Sequence, residues 1–282
     1  MHGVSDVIKK YTMKLYSLFS KKSKTYHTGL VLSGGAARGF AHIGVLKALN
    51  ENGIYPDVVS GVSAGALAGV LYCDGYKPAE IFEIFKNKSL MKFATITIPR
   101  DGLLGTENLR KVLESSLQAQ TFSELKIPFY CNATNMNEGN AEYFHSGELV
   151  NRVIASASIP VLFKPVYMNH TTYTDGGIVD NFPVFPIKNK TNHIIGVHVN
   201  PTGKIQNIKS LVKMAERSFH IMVNSRIQEM ANNCDLFIQP EGLHHYGLLH
   251  ASAGKELYEI GYENTMKILK KKFFKKLHFK AS

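Results

Sequence analysis

The sequence contains no tryptophan and only three cysteines in 282 residues. Cys73, Cys131 and Cys234 are too few and too far apart for a disulfide framework, and they form no CxxC pair that would bind a metal. Cys73 and Cys131 lie in apolar surroundings, which predicts reduced thiols in a core and suits a cytoplasmic setting. The cysteine content therefore excludes a small disulfide-stabilised secreted fold and a cysteine-bound metal centre.

Long apolar segments are also missing. No stretch reaches the ~18 apolar residues that a membrane-spanning helix requires. Near the N-terminus, Lys9, Lys10 and Lys14 interrupt the apolar residues where the continuous core of a signal peptide would have to lie. The sequence therefore predicts a cytoplasmic protein, and peripheral contact with the inner face of a membrane is a second interpretation.

Acidic residues are outnumbered, with 22 Asp and Glu against 33 Lys and Arg and a formal net charge of +11. Residues 1–25 are basic and carry apolar residues near the helical period, which predicts an amphipathic leader. Residues 266–282 interleave lysines with leucine and phenylalanine, which is typical of a solvated helix end or of a segment that contacts an anionic membrane. Nucleic acid is the least favoured partner of this tail, and none is expected.

Between these ends, residues 26–265 are interpreted as a single α/β domain without repeats or linkers. The segment from Thr28 to Leu71 alternates strand, glycine turn and helix twice, which predicts a parallel sheet covered by helices. Further strands are predicted near residues 128–131, 194–199 and 236–238, and a long helix over residues 211–230. The irregular stretch 90–105, which contains proline and glycine, is interpreted as a flap beside the functional site.

A G-x-S-x-G pattern stands at residues 61–65, with Ser63 at its centre. In this pattern a serine is held on a sharp turn between a strand and a helix, ready for nucleophilic attack. Val58 to Ser60 is β-branched and apolar, and the run from Ala64 to Leu71 is rich in Ala and Leu. Average Gly and Ser usage gives about 0.1 such matches by chance in a chain of this length, so pattern and setting together indicate a nucleophile.

An earlier glycine turn, Gly34-Gly35-Ala36, lies between a predicted strand and a predicted helix. Successive backbone N–H groups at a helix N-terminus are suited to stabilise the oxyanion that forms when serine attacks an ester. A dinucleotide-binding fingerprint would require glycine where Ala36 stands, and a P-loop would require a Lys-Ser or Lys-Thr pair that does not follow. The turn is therefore interpreted as the oxyanion donor set.

Two kinds of residue compete for the role of the base that takes the serine proton. An α/β-hydrolase would use a late histidine, and the candidates are His193, His198, His220, His244, His245 and His250. None lies in a recognisable loop after a strand, so a surface or core role is favoured for each. Asp175 is the stronger candidate because the turn Gly176-Gly177 lets its carboxylate project into a cleft, although Asp-Gly-Gly alone is also an ordinary turn.

Four segments together resemble the patatin-like phospholipase family of serine acyl hydrolases, most closely its small bacterial members. They are residues 30–46 (LVLSGGAARGFAHIGVL), 61–66 (GVSAGA), 155–160 (ASASIP) and 175–184 (DGGIVDNFPV). Their order and spacing cover roughly residues 28–200 and are specific as a set. The resemblance implies a three-layer α/β/α patatin-like fold with a mainly parallel central sheet, and a catalytic domain over residues 26–265.

The resemblance implies a catalytic dyad of Ser63 and Asp175 that acts without histidine, metal or cofactor. Ser63 would attack the carbonyl of a phospholipid, lysophospholipid or related lipid ester, and Asp175 would take its proton and later activate water. A carboxylate close to a forming oxyanion suggests a desolvated site and a raised pKa at Asp175. The alternatives are a Ser-Asp-His triad and a non-catalytic member that binds lipid or a partner.

The resemblance also implies that Gly34, Gly35 and Ala36 form the oxyanion hole. Arg38 would steady this loop, and further supporting residues would be Gly39, Gly61, Ala64, Gly65, Gly176 and Gly177. Ala36 departs from the family pattern, which usually has a third glycine at this position. Alanine keeps the N–H, so we expect a working hole, with strain of about 1–2 kcal/mol if its φ is positive.

Overall fold

A computed structural model describes residues 25–87, 106–160, 162–204, 207–208, 210–247 and 250–278. The predicted leader, apart from residue 25, and the predicted flap lie outside the described residues. The strands are β1 (Tyr26–Leu32), β2 (Val58–Gly61), β3 (Phe129–Asn135), β4 (Asn140–Phe144), β5 (Val166–Met168), β6 (Thr171–Asp175), β7 (Thr191–Val197) and β8 (Leu236–Ile238).

The helices are α1 (Phe40–Glu51), α2 (Ala64–Cys73), α3 (Pro78–Asn87), α4 (Glu107–Ser116), α5 (Val150–Ala157), α6 (Phe185–Lys188), α7 (Leu211–Asn224), α8 (Ile227–Ala231) and α9 (Gly254–His278). Single turns of 3₁₀ helix at Ala36–Gly39 and Gly176–Ile178 flank the predicted site residues. No helix in the described part of the chain combines the length and the apolar content needed to span a bilayer.

The strands form one mixed sheet in the order β5-β6-β3-β2-β1-β7-β8, with β4 paired to β3 outside this path. The pairs β3–β2, β2–β1, β1–β7 and β7–β8 are parallel, whereas β4, β5 and β6 pair antiparallel. Helices connect the parallel strands, as crossover connections in a parallel sheet require. The prediction of a mainly parallel central sheet in an α/β fold is confirmed.

Strand β3 brings the two halves of the predicted site together. On one side, β4 pairs with both Cys131 and Ala133. On the other side, β2 ends with Gly61 opposite Cys131, and β6 ends with Asp175 opposite Ala133. Because a strand has two edges, β2 and β6 share the edge of β3 that β4 leaves free. The segment after Gly61 therefore meets the end of β6, although 112 positions separate Ser63 from Asp175.

Apolar residues pack on both faces of the sheet because successive strand residues point to opposite sides. Leu30 and Leu32 of β1 join a large core cluster with residues of α1 to α5 and α9. Val31 joins a smaller cluster that includes Ile187 of α6 and Ile227 of α8. Helices thus cover both faces, which confirms the three-layer arrangement.

Helix α9 crosses α1 with the two backbones in contact. A side chain at Gly44 of α1 would meet the backbone N of Tyr262 at 2.7 Å, and one at Gly261 of α9 would meet the backbone of Ala41. The helix then continues through the predicted start of the basic tail, with Ile268 and Leu269 packed against the core. The predicted boundary at residues 265–266 therefore lies inside one helix.

The long helix predicted over residues 211–230 is two helices, so the prediction was wrong at its middle. Helix α7 ends at Asn224 and α8 begins at Ile227. Ser225 bonds back to the carbonyl of Met222 through both its backbone N–H at 3.2 Å and its hydroxyl at 2.8 Å. Serine competes with the helical backbone for hydrogen bonds in this way, and the helical period of the sequence does not reveal it.

Candidate active site

Ser63 lies on a strained turn between β2 and α2. Its φ of 54° and ψ of −123° are rare for a residue with a side chain and cost about 1–3 kcal/mol. A side chain at Gly61 would lie 2.5 Å from the carbonyl oxygen of Gly65, and one at Gly65 would lie 2.6 Å from that of Ser33. The turn therefore depends on glycine at both positions, as a nucleophile elbow does.

The hydroxyl of Ser63 donates a hydrogen bond of 2.5 Å to Oδ2 of Asp175. Both side chains are buried, with 5% of each residue exposed. The other carboxylate oxygen accepts from the backbone N–H of Gly177 at 2.7 Å. The backbone of Asp175 is held by Ser158 and Thr134, through hydrogen bonds of 2.8 Å each. The acid is thus fixed in place, with one oxygen directed at the serine.

Burial raises the pKa of Asp175 to about 6, and the hydrogen bonds from Ser63 and Gly177 oppose this rise only in part. Removing a carboxylate from water disfavours its charged form, and hydrogen bonds to that form favour it. The direction agrees with the raised pKa that the sequence predicted. At neutral pH the group is ionised and able to accept a proton.

The backbone N–H of Ser63 is held by Ser156 of α5, whose Oγ accepts it at 3.0 Å. Ser156 is fully buried, and the next turn is anchored by Ser158, whose hydroxyl donates to the carbonyl of Ile154 at 2.7 Å. From the sequence, this segment contributed only to the family resemblance, and no contact with Ser63 was predicted. Residues 155–160 show two serines among small and apolar residues, a pattern that does not reveal the contact of Ser156 with Ser63.

The first glycine turn lies directly beside the serine. A side chain at Gly34 would begin 3.3 Å from Cβ of Ser63, and one at Gly39 would meet Cβ of Ala64 at 2.6 Å. Within the described residues, the backbone N–H groups of Gly35 and Ala36 have no hydrogen-bond acceptor in the protein. The N–H of Gly34 donates weakly to the carbonyl of Asn181 at 3.4 Å. Gly35 and Ala36 therefore offer the two uncommitted donors.

Ala36 has a φ of 48°, in the left-handed region. Strain of about 1–2 kcal/mol is therefore expected at Ala36, because a positive φ is unfavourable for a residue with a side chain. The alanine still presents its N–H at the start of the 3₁₀ turn. Strain at this position and at Ser63 is concentrated in the two turns that face each other.

Arg38 is buried and ties the end of the glycine turn to two distant segments. Its Nε and Nη2 donate to the carbonyl of Tyr246 at 2.9 Å and 2.8 Å, and its Nη1 donates to Oδ1 of Asn200 at 2.8 Å. Burial lowers the pKa of Arg38 to about 10, so the guanidinium stays charged at neutral pH. These contacts fit the support that the family resemblance implies for this residue.

Asn181 is a buried polar residue of the site that the sequence reasoning did not single out. Its side-chain Oδ1 lies next to Gly34 and would be 2.7 Å from a side chain at Gly177. Its Nδ2 is buried and has no hydrogen-bond partner in the described structure. A buried amide without a partner is unfavourable and uncommon. Its position between the two glycine turns makes it a candidate for contact with a bound ligand.

The turn after Asp175 is supported by Asn132 of β3. Its Nδ2 donates to the carbonyls of Gly176 and Asp180, at 3.2 Å and 3.0 Å. A side chain at Gly176 would lie 2.6 Å from that Nδ2, so the close approach requires glycine. This position had no sequence signal, because its role depends on β3 passing beneath the turn.

None of the six late histidines hydrogen-bonds to Ser63 or Asp175. His198 lies between Gln239 and Asn224, each at 2.9 Å, and His220 bonds to Oδ1 of Asn200 at 2.8 Å. His193 is exposed near Asp235, with its Nδ1 3.9 Å from the carboxylate. The remaining three, His244, His245 and His250, are exposed. Their positions agree with the surface or core roles that the sequence favoured.

An earlier histidine, His42, is fully buried beneath the glycine turn, and the sequence reasoning gave it no role. Its Nε2 is 2.8 Å from the carbonyl of Ser33, which can only accept, so this nitrogen carries the proton. Burial lowers the pKa of His42 to about 4, so the ring is neutral. It fixes the peptide that precedes Gly34 and is not placed as a base for Ser63.

No group of three His, Cys, Asp or Glu side chains is placed to hold a metal ion within the residues that the structure describes. The site consists instead of a buried hydroxyl, a carboxylate and backbone N–H donors on two facing turns. Such a set is suited to nucleophilic attack on a carbonyl with stabilisation of the resulting oxyanion.

A three-layer α/β/α fold with a nucleophile elbow and a facing glycine turn is typical of serine hydrolases. The family model of patatin-like phospholipases matches residues 30–187, which include both turns and Asp175. The chain belongs to the patatin-like phospholipase family.

Curated relatives carry the name lysophospholipase. The chain is 28% identical over 280 residues to lysophospholipase nte1 of Emericella nidulans, an alignment that covers 86% of this chain and 18% of the relative. It is 28% identical over 290 residues to lysophospholipase NTE1 of Kluyveromyces lactis, covering 91% of this chain and 20% of the relative. The chain therefore spans about a fifth of the length of these relatives.

Among solved structures, VipD from Legionella pneumophila is similar, with a TM-score of 0.57 at 18% sequence identity. The superposition covers 92% of this chain and 73% of that one. At this identity the likeness concerns the fold alone.

Proposed function

We propose that the chain hydrolyses acyl esters of phospholipids or lysophospholipids through a dyad of Ser63 and Asp175. The observation that carries the proposal is the 2.5 Å hydrogen bond between the serine hydroxyl and a buried carboxylate of raised pKa. The names of the NTE1 relatives favour lysophospholipids within this class. The uncommitted N–H groups of Gly35 and Ala36 supply the oxyanion hole, with Gly34 beside them.

In the first half-reaction, the carboxylate of Asp175 takes the proton of Ser63 Oγ as this oxygen bonds to the ester carbonyl carbon. The electron pair of the C=O bond moves onto the carbonyl oxygen, where the Gly35 and Ala36 N–H groups stabilise the negative charge. The tetrahedral intermediate collapses, the ester C–O bond breaks, and the alcohol leaves with the proton from Asp175. The acyl group remains on Ser63.

In the second half-reaction, water takes the place of the alcohol. Asp175 accepts a proton from this water as its oxygen bonds to the acyl carbon, and the oxyanion forms again at the same donors. Collapse releases the fatty acid and breaks its bond to Ser63, whose Oγ recovers the proton from Asp175. A carboxylate with a pKa near 6 suits both roles, because it accepts and returns a proton near neutral pH.

The dyad is tested by Ser63→Ala and Asp175→Asn, with hydrolysis of short acyl esters and lysophosphatidylcholine as readouts. Each change should lower kcat by about 10⁴-fold or more, since nucleophile and base act as a unit. Matched controls are Ser60→Ala, which changes a buried serine of β2, and Asp180→Asn, which changes a carboxylate five positions beyond Asp175.

Substantial activity in Asp175→Asn would refute the dyad and favour a histidine base. Failure of a fluorophosphonate to label Ser63 in folded protein would favour a non-catalytic binding role.

We also propose peripheral contact with anionic membranes through the basic ends of the chain. In α9, Lys267, Lys270 and Lys271 are exposed on the helix that leads into the tail. Co-sedimentation with phosphatidylglycerol vesicles at low salt should fall when these three lysines are replaced by glutamine, and further when the lysines of residues 9–24 are replaced too. Equal binding of the variants and the wild type would contradict the proposal.

A further inference from the structure

A cavity of about 320 Å³ lies next to the candidate site, and Ser63 and Asp175 are not among its lining residues. Its wall contains four cationic side chains, Arg38, Lys204, Lys213 and Arg217. No acidic residue contributes to this wall in the part of the chain that the structure describes. Such a cavity offers positive charge from several directions at once, which favours an anionic occupant.

The deepest of these charges, on Arg38, has no carboxylate counter-ion within the residues that the structure describes. Its guanidinium is buried, and its hydrogen bonds go to the neutral oxygens of Tyr246 and Asn200. Neutral acceptors satisfy the N–H donors but leave the net charge uncompensated. A buried charge of this kind is strongly unfavourable unless an opposite charge approaches it.

Helix α7 contributes two further charges to the cavity wall, those of Lys213 and Arg217. Lys213 and Arg217 are four positions apart, so they lie on the same helix face, where like charges repel each other. Arg217 is held in place by a 2.7 Å bond from its Nη2 to the carbonyl of Gly203. Lys213 lies in the first turn of α7, where the helix dipole adds positive potential.

Elsewhere on the described surface, arginines have acidic neighbours on their own helix. Arg110, Arg152 and Arg226 lie 3.4–3.9 Å from glutamates three or four positions away. By contrast, none of the four cations of the cavity pairs with a carboxylate of the described side chains. Among the described side chains, the cluster therefore lacks the local compensation that these other arginines have.

We propose that this cavity binds a phosphate group, contacted by Lys204, Lys213 and Arg217 and placed next to the buried charge of Arg38. The small volume suits a single phosphate-bearing group rather than a polyanion such as nucleic acid. Arg38 is two residues from Ala36, so the bound phosphate lies close to the oxyanion turn. Its source is either free phosphate or the headgroup of a lipid, and only the lipid source rests on the proposed hydrolase function.

The test is isothermal titration calorimetry of the full chain with sodium phosphate and, separately, with glycerophosphocholine, at an ionic strength fixed by NaCl. Both the phosphate ion and the phosphodiester probe the site without any hydrolysis. The double variant Lys213→Gln/Arg217→Gln should bind at least about tenfold more weakly, since it removes two charge-assisted contacts. The control Lys86→Gln/Lys111→Gln removes the same charge from exposed positions of α3 and α4 and should bind like the wild type.

The two probes separate the two sources. Binding of both, lost in the double variant, supports a headgroup site, and binding of phosphate alone supports a site for free phosphate. A headgroup site also predicts that the ratio of KM for lysophosphatidylcholine to KM for a neutral short-chain ester rises in the double variant. Absence of calorimetric binding of either probe at millimolar concentration, or equal binding by the double variant with unchanged circular dichroism, overturns the proposal. If the double variant loses secondary structure, Lys204→Gln alone replaces it under the same criteria.

Discussion

The carboxylate of Asp175 is both buried and directed at a hydroxyl, and these two properties set its titration. Burial raises its pKa to about 6. The proposed mechanism requires the ionised form, so kcat/KM for a neutral short-chain ester should fall about tenfold per pH unit below 6 and level off above it. Initial rates between pH 4.5 and 8 measure this. A midpoint near 4 would show that the base is a solvated carboxylate, and Asp180→Asn should leave the midpoint in place.

Replacing Ala36 and its neighbour Ala37 by glycine should change the stability of the protein in opposite directions. Its φ of 48° is strained for alanine and free for glycine, whereas Ala37 is not among the residues with positive φ. Ala36→Gly should therefore raise the free energy of unfolding by up to about 1 kcal/mol, while Ala37→Gly should lower it by about 0.5–1 kcal/mol. Urea unfolding of the two variants measures this, and a loss of stability in both would contradict the strain at Ala36.

At the residue scale, the sequence predicted the groups whose chemistry depends on a local pattern. Ser63 and Asp175 each sit beside glycines that mark a turn, and the structure places them in contact. Asn181, Ser156 and His42 gave no such signal, because each contacts the turns only after separate segments have packed together. Polar residues whose partners lie far away in sequence cannot be assigned from spacing alone.

At the element scale, the crossing of α1 and α9 depends on glycines at the point of contact. Alanine in place of glycine normally stabilises a helix by about 1 kcal/mol. Gly261→Ala should instead lower the free energy of unfolding by about 1–3 kcal/mol, since its methyl group would press on the backbone of Ala41. Thermal unfolding measures the change, and Glu263→Ala on the exposed face of α9 should stay within about 0.5 kcal/mol of the wild type. A more stable Gly261→Ala would show that the helices can separate without cost.

The elements that the sequence predicted are those in which apolar residues recur with a clear spacing, such as the parallel strands and the helices that follow them. Strands β4 and β5 were not predicted, because they are short and only partly buried, and their pairing is set by β3 and β6. The break between α7 and α8 was missed because apolar residues continue across Ser225 with helical spacing. Local hydrogen bonds of one serine thus decided a feature that the apolar pattern did not contain.

At the scale of the whole molecule, the site is assembled where the parallel and antiparallel parts of the sheet meet. The parallel half carries Ser63 and the glycine turn, and the antiparallel half carries Asp175, with β3 common to both. This arrangement explains why the acid follows the serine by more than a hundred positions. It also buries the acid in the centre of the fold, so the titration of this one carboxylate affects the stability of the entire domain.

The last prediction concerns that coupling between the protonation of Asp175 and global stability. The folded pKa of Asp175, about 6, lies above the ordinary value of 3.8, so the folded state holds more protons between these pH values. Ionisation of Asp175 therefore lowers wild-type stability as pH rises from about 4 to 6, by about 3 kcal/mol in total.

The variant Asp175→Asn has no carboxyl group at this position and does not lose this stability. The free energy of unfolding of the variant minus that of the wild type should therefore be about 3 kcal/mol more positive at pH 7 than near pH 3.5. Urea unfolding at both pH values measures the difference, with Ser63→Ala as a variant that keeps the carboxylate. If the difference in unfolding free energy between Asp175→Asn and the wild type is the same at all pH values, burial does not raise the pKa of Asp175. The fold would then lose no stability by holding a carboxylate that titrates near neutral pH.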